Sequence, residues 1–455
     1  MKTSRESAFA WRGLIVMACA VAAFGAAAQE PRRLTLSQAY RLAIENDANL
    51  AAAHDLFEAR SERLPQARAQ LLPNISASAN RFRNNLDSTV PSITGAPISS
   101  HRDYLSGNNA IVARLPLFRP ALWADWRQAK AQVADAGAQY AKAVQDLAVR
   151  VTTAYMQVLL AQEQVGLVAS QKKAYSTQLD AARKAFTAGS GTRTDVDEAL
   201  AQLDLAVAQE LQAKQNYDYT RRQLQALIDT PVMEVAPVDS ARLPLAPPEP
   251  EGLRAWVEHA EDASPEIQSA RAQAEAARQD VEKARAGHMP TVDFVAQITR
   301  SRSDTVTAVD QTYADKQVGV VLNVPIFAGG FVNSQVRQAL ASARQAEDNL
   351  EALRRDLSLR VEKEYRGVTE GVLQVRALEQ AVRSAETAAQ SASRSYQGGA
   401  RTIVDVFNAE EKLVQAQRDL AEARYNYVLS RVRLQSLTGA VDQAAIDDVN
   451  TWLAP

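Results

Sequence analysis

The spacing of apolar residues alternates between two periods along this chain, and this divides it into predicted helices and strands. In some segments apolar side chains recur every three, four or seven residues, which predicts helices packed lengthwise on other helices. In others they alternate strictly with polar ones, which predicts strands with one face in water and one in an apolar medium. The alternating segments are short and come in pairs, whereas the helical ones are very long. We therefore expect a mostly α-helical protein with two β-hairpins.

The first hairpin is predicted at about residues 73–117 and the second at about 290–325. In the first, polar and apolar residues alternate over 74–80, and a loop rich in Ser, Pro, Gly and Asn leads to a return strand ending near Leu117. The second hairpin alternates in the same way on both of its strands. Strands of about 9–11 residues cross a bilayer when tilted, so these hairpins are long enough to do so.

Two very long helices are predicted, over about 121–186 and about 331–396. At roughly 1.5 Å per residue each would be about 100 Å long, which no small domain can bury on itself. Shorter helices are predicted over 37–70, with Ser37 as N-cap, and over about 194–228 and about 402–437, with one more opening the second half at 264. Placed end to end, shorter helices match one long helix, so each half can supply one continuous and one stacked rod.

The chain contains two internal repeats of this pattern, repeat 1 over 29–229 and repeat 2 over 264–439. The run Asp-Val-Asp-Glu-Ala that begins at Asp195 returns as Asp-Val-Phe-Asn-Ala at Asp405, roughly 210 residues later. The first half has more residues between its proline landmarks, and we expect them in a surface loop. Between the repeats, 230–263 is Pro-rich and is predicted to be an equatorial connector lying across the helices. Residues 440–455 form a tail with no assignment.

Residues 1–28 have the layout of a secretory signal peptide. A basic start is followed by an apolar stretch too short to span a bilayer and by three alanines before Gln29. A lipoprotein cleavage before Cys19 is the alternative, although it would leave a very short apolar region. Because Cys19 is the only cysteine, removal of the leader would exclude disulfides and thiolate ligands from the mature protein.

The composition argues against several classes of protein. A formal net charge of −2 at pH 7 argues against a nucleic-acid-binding protein, which would carry a basic surface. No nucleophile motif or phosphate-binding loop occurs, so we expect no enzyme and no cofactor. The histidines lie in unrelated segments without metal-ligand spacing, which predicts no metal site. They are His54, His101, His259 and His288.

Four amphipathic strands cannot close a barrel, since roughly eight are the minimum. An open sheet would leave edges that a membrane does not tolerate, so several copies would have to share one barrel. The alternative is a soluble α+β protein whose hairpins pack on a helix layer. Trp123 and Trp126 follow a strand end, and could be interfacial anchors or pack at the junction of barrel and helices.

Four stretches carry a resemblance to a known family. They are Leu-Thr-Leu-Ser-Gln-Ala at 34–39, Leu-Leu-Pro at 71–73, Val-Pro-Ile-Phe at 324–327 and, most specifically, Tyr-Gln-Gly-Gly-Ala-Arg-Thr-Ile-Val-Asp-Val at 396–406. The sequence resembles the TolC-type outer-membrane factor family over essentially its whole mature length. The resemblance implies a long-helix α-barrel tunnel joined to a shared transmembrane β-barrel, with four strands per protomer from two tandem repeats.

The resemblance also implies a function. Such a protein would be the passive exit duct of a tripartite efflux or type I secretion system. It would lie in the outer membrane of a Gram-negative bacterium, surrounded by outer-membrane lipid and projecting into the periplasm. Its partners would be two further copies in a homotrimer, a periplasmic adaptor (membrane fusion protein) and an inner-membrane pump of ABC or RND type. The alternative is the periplasmic adaptor itself, which would need more β segments than two hairpins.

The two glycine turns are the candidate functional site, at the predicted periplasmic tip. Gly189 and Gly399 would end the long helices, and Asp195 and Asp405 would lie in the first turn of the next helices. On spacing alone the two aspartates are helix caps.

The resemblance adds a gate at these turns. It implies that Tyr396 and Arg401 bond Asp195 and hold the tip closed, and that Asp405 helps to form an acidic ring around the axis. Asn408 stands where a second acidic residue can occur, which argues against strong cation selectivity.

Overall fold

The computed structural model describes residues 33–239, 241–303 and 310–453. The predicted signal peptide, with Cys19, lies outside these residues. In chain order the elements are α1 (Leu36–Asn46), α2 (Ala48–Ser61), α3 (Arg63–Ala69), β1 (Asn74–Pro91), β2 (Pro97–Phe118), α4 (Pro120–Thr187), α5 (Arg193–Ile228), α6 (Leu253–Ala263), α7 (Pro265–Arg285), a 3-10 turn (Ala286–His288), β3 (Thr291–Arg302), β4 (Thr312–Asn323), α8 (Phe331–Gln397), α9 (Ile403–Leu437) and α10 (Gln443–Asn450).

The two long helices dominate the molecule, with 68 residues in α4 and 67 in α8. Helix α5 packs along one part of α4, and α2 and α3 along another; α9 and α7 pack along α8 in the same way, and α4 also contacts α7 and α9. Each long helix therefore lies beside shorter helices stacked end to end, as the lengths predicted. Within the described part of the chain, no helix combines the length and apolar character needed to cross a membrane.

The single helix predicted over 37–70 is wrong, because the chain forms three. Asp47 is extended (φ −69°, ψ 113°), and its carboxylate accepts the Leu50 N–H at 2.8 Å and so caps α2. Arg150 of α4 holds the same carboxylate at 3.0 and 3.1 Å. Further on, Pro65 cannot donate a backbone hydrogen bond to the preceding turn, which favours the second break.

The predicted N-cap at Ser37 is also wrong. Helix α1 begins after Thr35, whose hydroxyl accepts the Gln38 N–H while the Gln38 side chain accepts the Thr35 N–H, a reciprocal capping box. The Ser37 hydroxyl instead donates to Asp447 at 2.5 Å. Ser37 therefore ties the start of the chain to α10 of the tail.

The four strands form one antiparallel sheet in the order β1-β2-β3-β4. The pairing of β2 with β3 joins the two hairpins, which leaves β1 and β4 as its two edges. One face is apolar across all four strands, and the paired registers place its members side by side. These are Ile75, Ala77 and Ala79; Ile111, Ala113 and Leu115; Phe294, Ala296 and Ile298; and Val318, Val320 and Leu322.

The loop predicted inside the first hairpin is wrong, because most of it is strand. Strands β1 and β2 hold 18 and 22 residues, and the pairing runs unbroken to Pro91 and Pro97. The polar side chains that suggested a loop bond one another across the strands: the Ser88 and Ser100 hydroxyls lie 2.8 Å apart, and Thr89 and Ser99 lie 3.0 Å apart. The additional length of the first half is therefore carried by strands.

The main hydrophobic core surrounds the middle of the long helices. Helices α1 and α10 and the connector pack there against α4, α5, α8 and α9. The buried Tyr155 hydroxyl lies 2.9 Å from the carbonyl oxygens of both Leu34 and Ala236, so α4 holds two chain segments. A bridge between Val238 and Leu453 adds the tail. The tail, which the sequence left unassigned, is thus part of this core.

The connector predicted over 230–263 is not a single type of structure. It ends in helix α6, whose apolar positions Trp256 and Ala260 are buried one turn apart. Between α5 and α6 the described residues form no regular helix, and Tyr427 of α9 reaches the carbonyl oxygens of Pro244 and Ala246. This part of the connector is ordered by its contacts with the helices.

Two ion clusters lie where the helices meet the sheet. The carboxylate of Asp125, buried in α4, accepts hydrogen bonds from Arg63 of α3 at 2.8 Å and from Lys283 of α7 at 2.6 Å. Just above it, Arg119 contacts Asp293 of β3 through both carboxylate oxygens. Together these contacts fix three helices and one strand around the point where the chain changes from helix to sheet.

Trp123 and Trp126 lie in the first turns of α4, directly below the sheet. Their rings meet edge to face with centroids 6.1 Å apart. Trp123 is exposed in the single protomer, whereas Trp126 is half-buried. Trp123 therefore has its free surface at the junction of sheet and helices.

Candidate functional site at the helix tips

The two predicted glycine turns have nearly the same backbone. Gly189 (φ +77°) follows the end of α4, and Gly399 (φ +71°) follows the end of α8. In each turn the next residue donates its N–H to a carbonyl of the helix: Ser190 to Ala185 at 2.9 Å, and Ala400 to Ser395 at 2.9 Å. These bonds satisfy carbonyls that a helix end otherwise leaves free.

Each turn is followed by a capping box. The Thr192 hydroxyl accepts the Asp195 N–H at 3.1 Å, and the Asp195 carboxylate accepts the Thr192 N–H at 3.1 Å. Thr402 and Asp405 repeat this arrangement at 3.3 and 3.0 Å. Both aspartates therefore cap helices, which is the role that their spacing alone predicts.

The positive φ of Gly399 provides a matched pair of test variants. We expect Gly399→Ala to destabilise the turn by about 1–2 kcal/mol, because a Cβ in the left-handed region is strained even where open space surrounds it. Gly398 has an ordinary φ of −83°, so Gly398→Ala is the control and should have little effect. Hydrogen exchange at the tip amides measures the difference; equal exchange in the two variants would contradict the assignment.

Among the remaining gate residues, Tyr396 lies near Asp195 but is not bonded to it inside the protomer. Burial raises the pKa of Tyr396, and the neighbouring charge of Asp195 raises it further. Arg401 is exposed. Among the described residues, no hydrogen bond or ion pair joins Tyr396 or Arg401 to Asp195. The implied latch therefore stays a prediction, and its bonds are absent from the isolated chain.

Asp405 lies in a favourable environment for its charge. The Thr402 N–H, the Thr402 hydroxyl and then the positive charge of Arg401 lower the pKa of Asp405, which stays ionised at neutral pH. Asn408, one turn further along α9, is exposed. A ring of negative charge around the axis stays a prediction, because a single protomer contains one Asp405.

Beyond the capping boxes, the two turns differ in their surfaces. Ile403 and Phe407 of α9 are buried, and the Phe407 ring packs edge-on against Tyr175 of α4 with centroids 5.1 Å apart. The corresponding positions of α5 are Arg193 and Asp197, which are exposed and pair with each other at 3.1 Å. Aligning the two repeats would have revealed this difference, which the sequence analysis missed.

One further group of side chains lies on the surface of α2. His54, Asp55 and Glu58 of α2 each offer a ligand atom within 4.8 Å of the others. All three lie on the surface of one helix, and the His54 ring meets Tyr140 edge-on at 5.6 Å. Acidic groups of this kind are common on helix surfaces, so the prediction of no metal site stays a prediction.

Comparison with known proteins decides the family. The model of the outer membrane efflux protein family matches residues 39–230 and 256–440, which hold both long helices, both hairpins and both tips. The chain belongs to the outer membrane efflux protein family. The predicted resemblance is therefore confirmed.

Individual members of the outer membrane efflux protein family agree. The alkaline protease secretion protein AprF of Pseudomonas aeruginosa is 33% identical over 416 residues, covering 91% of this chain and 86% of the relative. The outer membrane protein TolC of Escherichia coli is 31% identical over 378 residues, covering 79% and 76%. The crystal structure of the outer membrane protein VceC of Vibrio cholerae has the same fold, with a TM-score of 0.76 at 20% identity, covering 90% and 97%.

These matches confirm the predicted fold class, location and general function. The protein is an outer-membrane channel of the efflux and type I secretion class, built as a helical tunnel with a small β domain. The alternative of a periplasmic adaptor is set aside. The family consists of transport channels.

Proposed function

We propose that three copies of this chain form one exit duct, whose periplasmic gate is made by the helix tips. The sheet supports this proposal most directly. Strands β1 and β4 have unpaired edges within the protomer, and one face is apolar across all four strands. Pairing β4 of one copy with β1 of the next removes every edge, as a membrane requires.

The number of copies follows from the width of the barrel. Two copies would give eight strands, whose interior fills with side chains, whereas three would give twelve and leave a lumen for water. The opposite face of the sheet supports such a lumen, since it carries polar side chains such as Ser76, Ser78, Gln297 and Gln317. A homotrimer is therefore the smallest assembly that conducts.

In the assembled duct, we place the latch between protomers. Arg401 is exposed and makes no ion pair within its own chain, among the residues described. Asp195 has a carboxylate that already caps α5 and can accept a further bond from a cation approaching from outside. Arg401 of one copy contacting Asp195 of the next, with Tyr396 beside it, would close the tips.

The proposed partners and cargo follow from the relatives. Two of them are named for protease secretion, AprF of Pseudomonas aeruginosa and PrtF of Dickeya chrysanthemi. We therefore propose that this duct exports a protein, delivered by an inner-membrane pump of ABC type and its periplasmic adaptor. Efflux with an RND pump is the second candidate, favoured by the match to the outer membrane efflux protein family. In either case the duct acts passively, without catalysis.

The assembly is tested by electrophoresis of the outer-membrane fraction, with heated and unheated samples compared. We expect the unheated protein to migrate as a trimer and the heated one near 49.5 kDa, or slightly below it after removal of the leader. A single heat-independent monomer band, or recovery in the soluble periplasmic fraction, would contradict the proposal. Deletion of the neighbouring pump gene, with export of its protein substrate as the readout, distinguishes secretion from efflux.

A further inference from the structure

The pairing of β1 with β2 extends well beyond the last residue pair of β3 and β4, Arg302 and Thr312. The last residue of β3, Arg302, pairs with Gly107 of β2. Beyond that point, among the described residues, β1 and β2 pair only with each other, Phe82–Pro91 against Pro97–Ser106. We call this paired segment the ribbon. At roughly 3.3 Å per residue it projects about 30 Å past the sheet, on the side away from the helices.

The apolar side chains of β1 change faces where the ribbon begins. Within the sheet, Ile75, Ala77 and Ala79 occupy the apolar face. In the ribbon the large apolar residues of β1 are Phe82, Leu86 and Val90, which lie on the opposite face. The register of β1 with β2 has no bulge between these regions, so the chain itself does not turn over. The hydrophobic pattern therefore inverts along a regular strand.

The apolar residues of β2 change faces in the same way as those of β1, and charged residues take their place on the reverse face. Ile98 and Tyr104 pair with Val90 and Asn84, so they share the face of Phe82. The reverse face of the ribbon carries charged groups, with His101 bonded to Asp87 at 2.6 Å. The lipid-side face is thus apolar in the sheet and charged in the ribbon, which indicates that the ribbon lies outside the bilayer, in water.

The face of the ribbon that carries Phe82 continues the lumen side of the sheet, and we call it the inward face. This face is suited to being covered by another apolar surface. Phe82, Val90 and Ile98 are 59%, 56% and 55% exposed in the single protomer. Two polar pairs on this face are bonded within the ribbon, since Asn84 donates to the Ser106 hydroxyl at 2.7 Å and the Ser88 and Ser100 hydroxyls lie 2.8 Å apart. Covering this face would bury apolar area without leaving these polar groups unpaired.

We propose that in the assembled duct the three ribbons lean over the outer mouth and pack their apolar faces together. The occupant of each apolar face is thus a second copy of this chain. Because this face continues the lumen side of the sheet, the ribbons of neighbouring copies face one another across the same axis. An isolated two-stranded ribbon is marginally stable in water. Packing against the ribbons of the other copies supplies the additional contacts that such a ribbon needs. The inference rests on the proposed trimer and adds an apolar closure at the extracellular end.

Two residues depart from the pattern. Leu105 is apolar on the outward face, but it lies at the base of the ribbon, paired with Arg83 and next to the membrane boundary. Arg102 is charged on the inward face, opposite Leu86. Its long side chain can reach the rim of the packed ribbons while its base stays beside Leu86.

Single cysteines at neighbouring positions test the closure, in a Cys19→Ser background. Val90→Cys places a thiol on the inward face, and Thr89→Cys is the matched control on the outward face at the same height. In intact cells a short bifunctional maleimide should link copies through residue 90 and not through residue 89. A membrane-impermeant maleimide should label residue 90 several-fold more slowly than residue 89.

The outcomes separate this inference from the trimer itself. Heat-modifiable trimers whose residues 90 and 89 are labelled equally fast, without linked copies, would overturn the closure and leave the duct intact. Absence of the trimer band in the unmodified protein would overturn both. Phe82→Cys, closer to the membrane, provides a second inward position if Val90→Cys fails to accumulate.

Discussion

The double variant Arg401→Ala with Tyr396→Phe is expected to raise the single-channel conductance of the purified trimer several-fold. Arg401 is exposed at the tip and unpaired within its protomer, among the residues described, while Tyr396 lies near the charge of Asp195. If these side chains hold neighbouring tips together through Asp195, their removal leaves only the packing of the helices to keep the gate closed. Conductance in a planar bilayer measures the change directly.

A control is available at the other helix tip, where α5 begins. Arg193 is also exposed at a tip, but it is bonded within its own helix to Asp197. Arg193→Ala should therefore leave the conductance unchanged. The latch is refuted if the double variant forms a normal trimer and conducts like the unmodified protein. Capping does not confuse this comparison, since Thr192 and Thr402 keep their contacts with the two aspartates in both variants.

Among the variants considered for stability, Asp125→Asn is expected to cause the largest loss. The Asp125 side chain is 6% exposed, and its carboxylate forms ion pairs with both Arg63 and Lys283 at the junction of three helices. Removing one partner of a buried ion pair costs about 3–5 kcal/mol, and here we expect the lower end because the two cations are partly solvated. The temperature at which the trimer dissociates in detergent should fall clearly.

The same site has a defined pH dependence. Burial alone raises the pKa of Asp125, but the hydrogen bonds from Lys283 and Arg63 outweigh it, so the folded-state pKa is lowered. Its contribution to stability is therefore present above the unfolded-state pKa of about 3.9 and is lost as the pH falls through the lower folded value. The Asp125→Asn variant should lack this part of the acid sensitivity. Glu258→Gln, which alters an exposed pair with Arg254, is the control and should change stability by less than about 1 kcal/mol.

Local chemistry explains which parts of the fold could be predicted. The long helices and their ends were predictable because helical period, a glycine and a following Thr-x-x-Asp box are all encoded within a few residues. The break at Asp47 was not, because it depends on Arg150 far along the chain. The ribbon was missed for a similar reason: Ser88 and Thr89 indicate a loop until their partners across the strand are known.

The same distinction between local and distant interactions holds for the candidate site. The turns at Gly189 and Gly399 and their capping aspartates follow from adjacent residues. The proposed contact of Arg401 with Asp195 of another copy is contained in neither one sequence nor one protomer. The difference between Phe407 and Asp197 is intermediate, since it was legible in the repeat but acquires meaning only once Tyr175 is seen to pack against the former.

The unpaired edges of β1 and β4 have a consequence for inheritance. A chain defective elsewhere but intact at these edges can still enter an assembly with normal chains. One such chain would then compromise the whole duct, so a cell producing both kinds would retain only a minority of fully normal ducts. Lesions of the tips should therefore behave as dominant, whereas lesions that destroy an edge strand remove the chain from assembly and should be recessive.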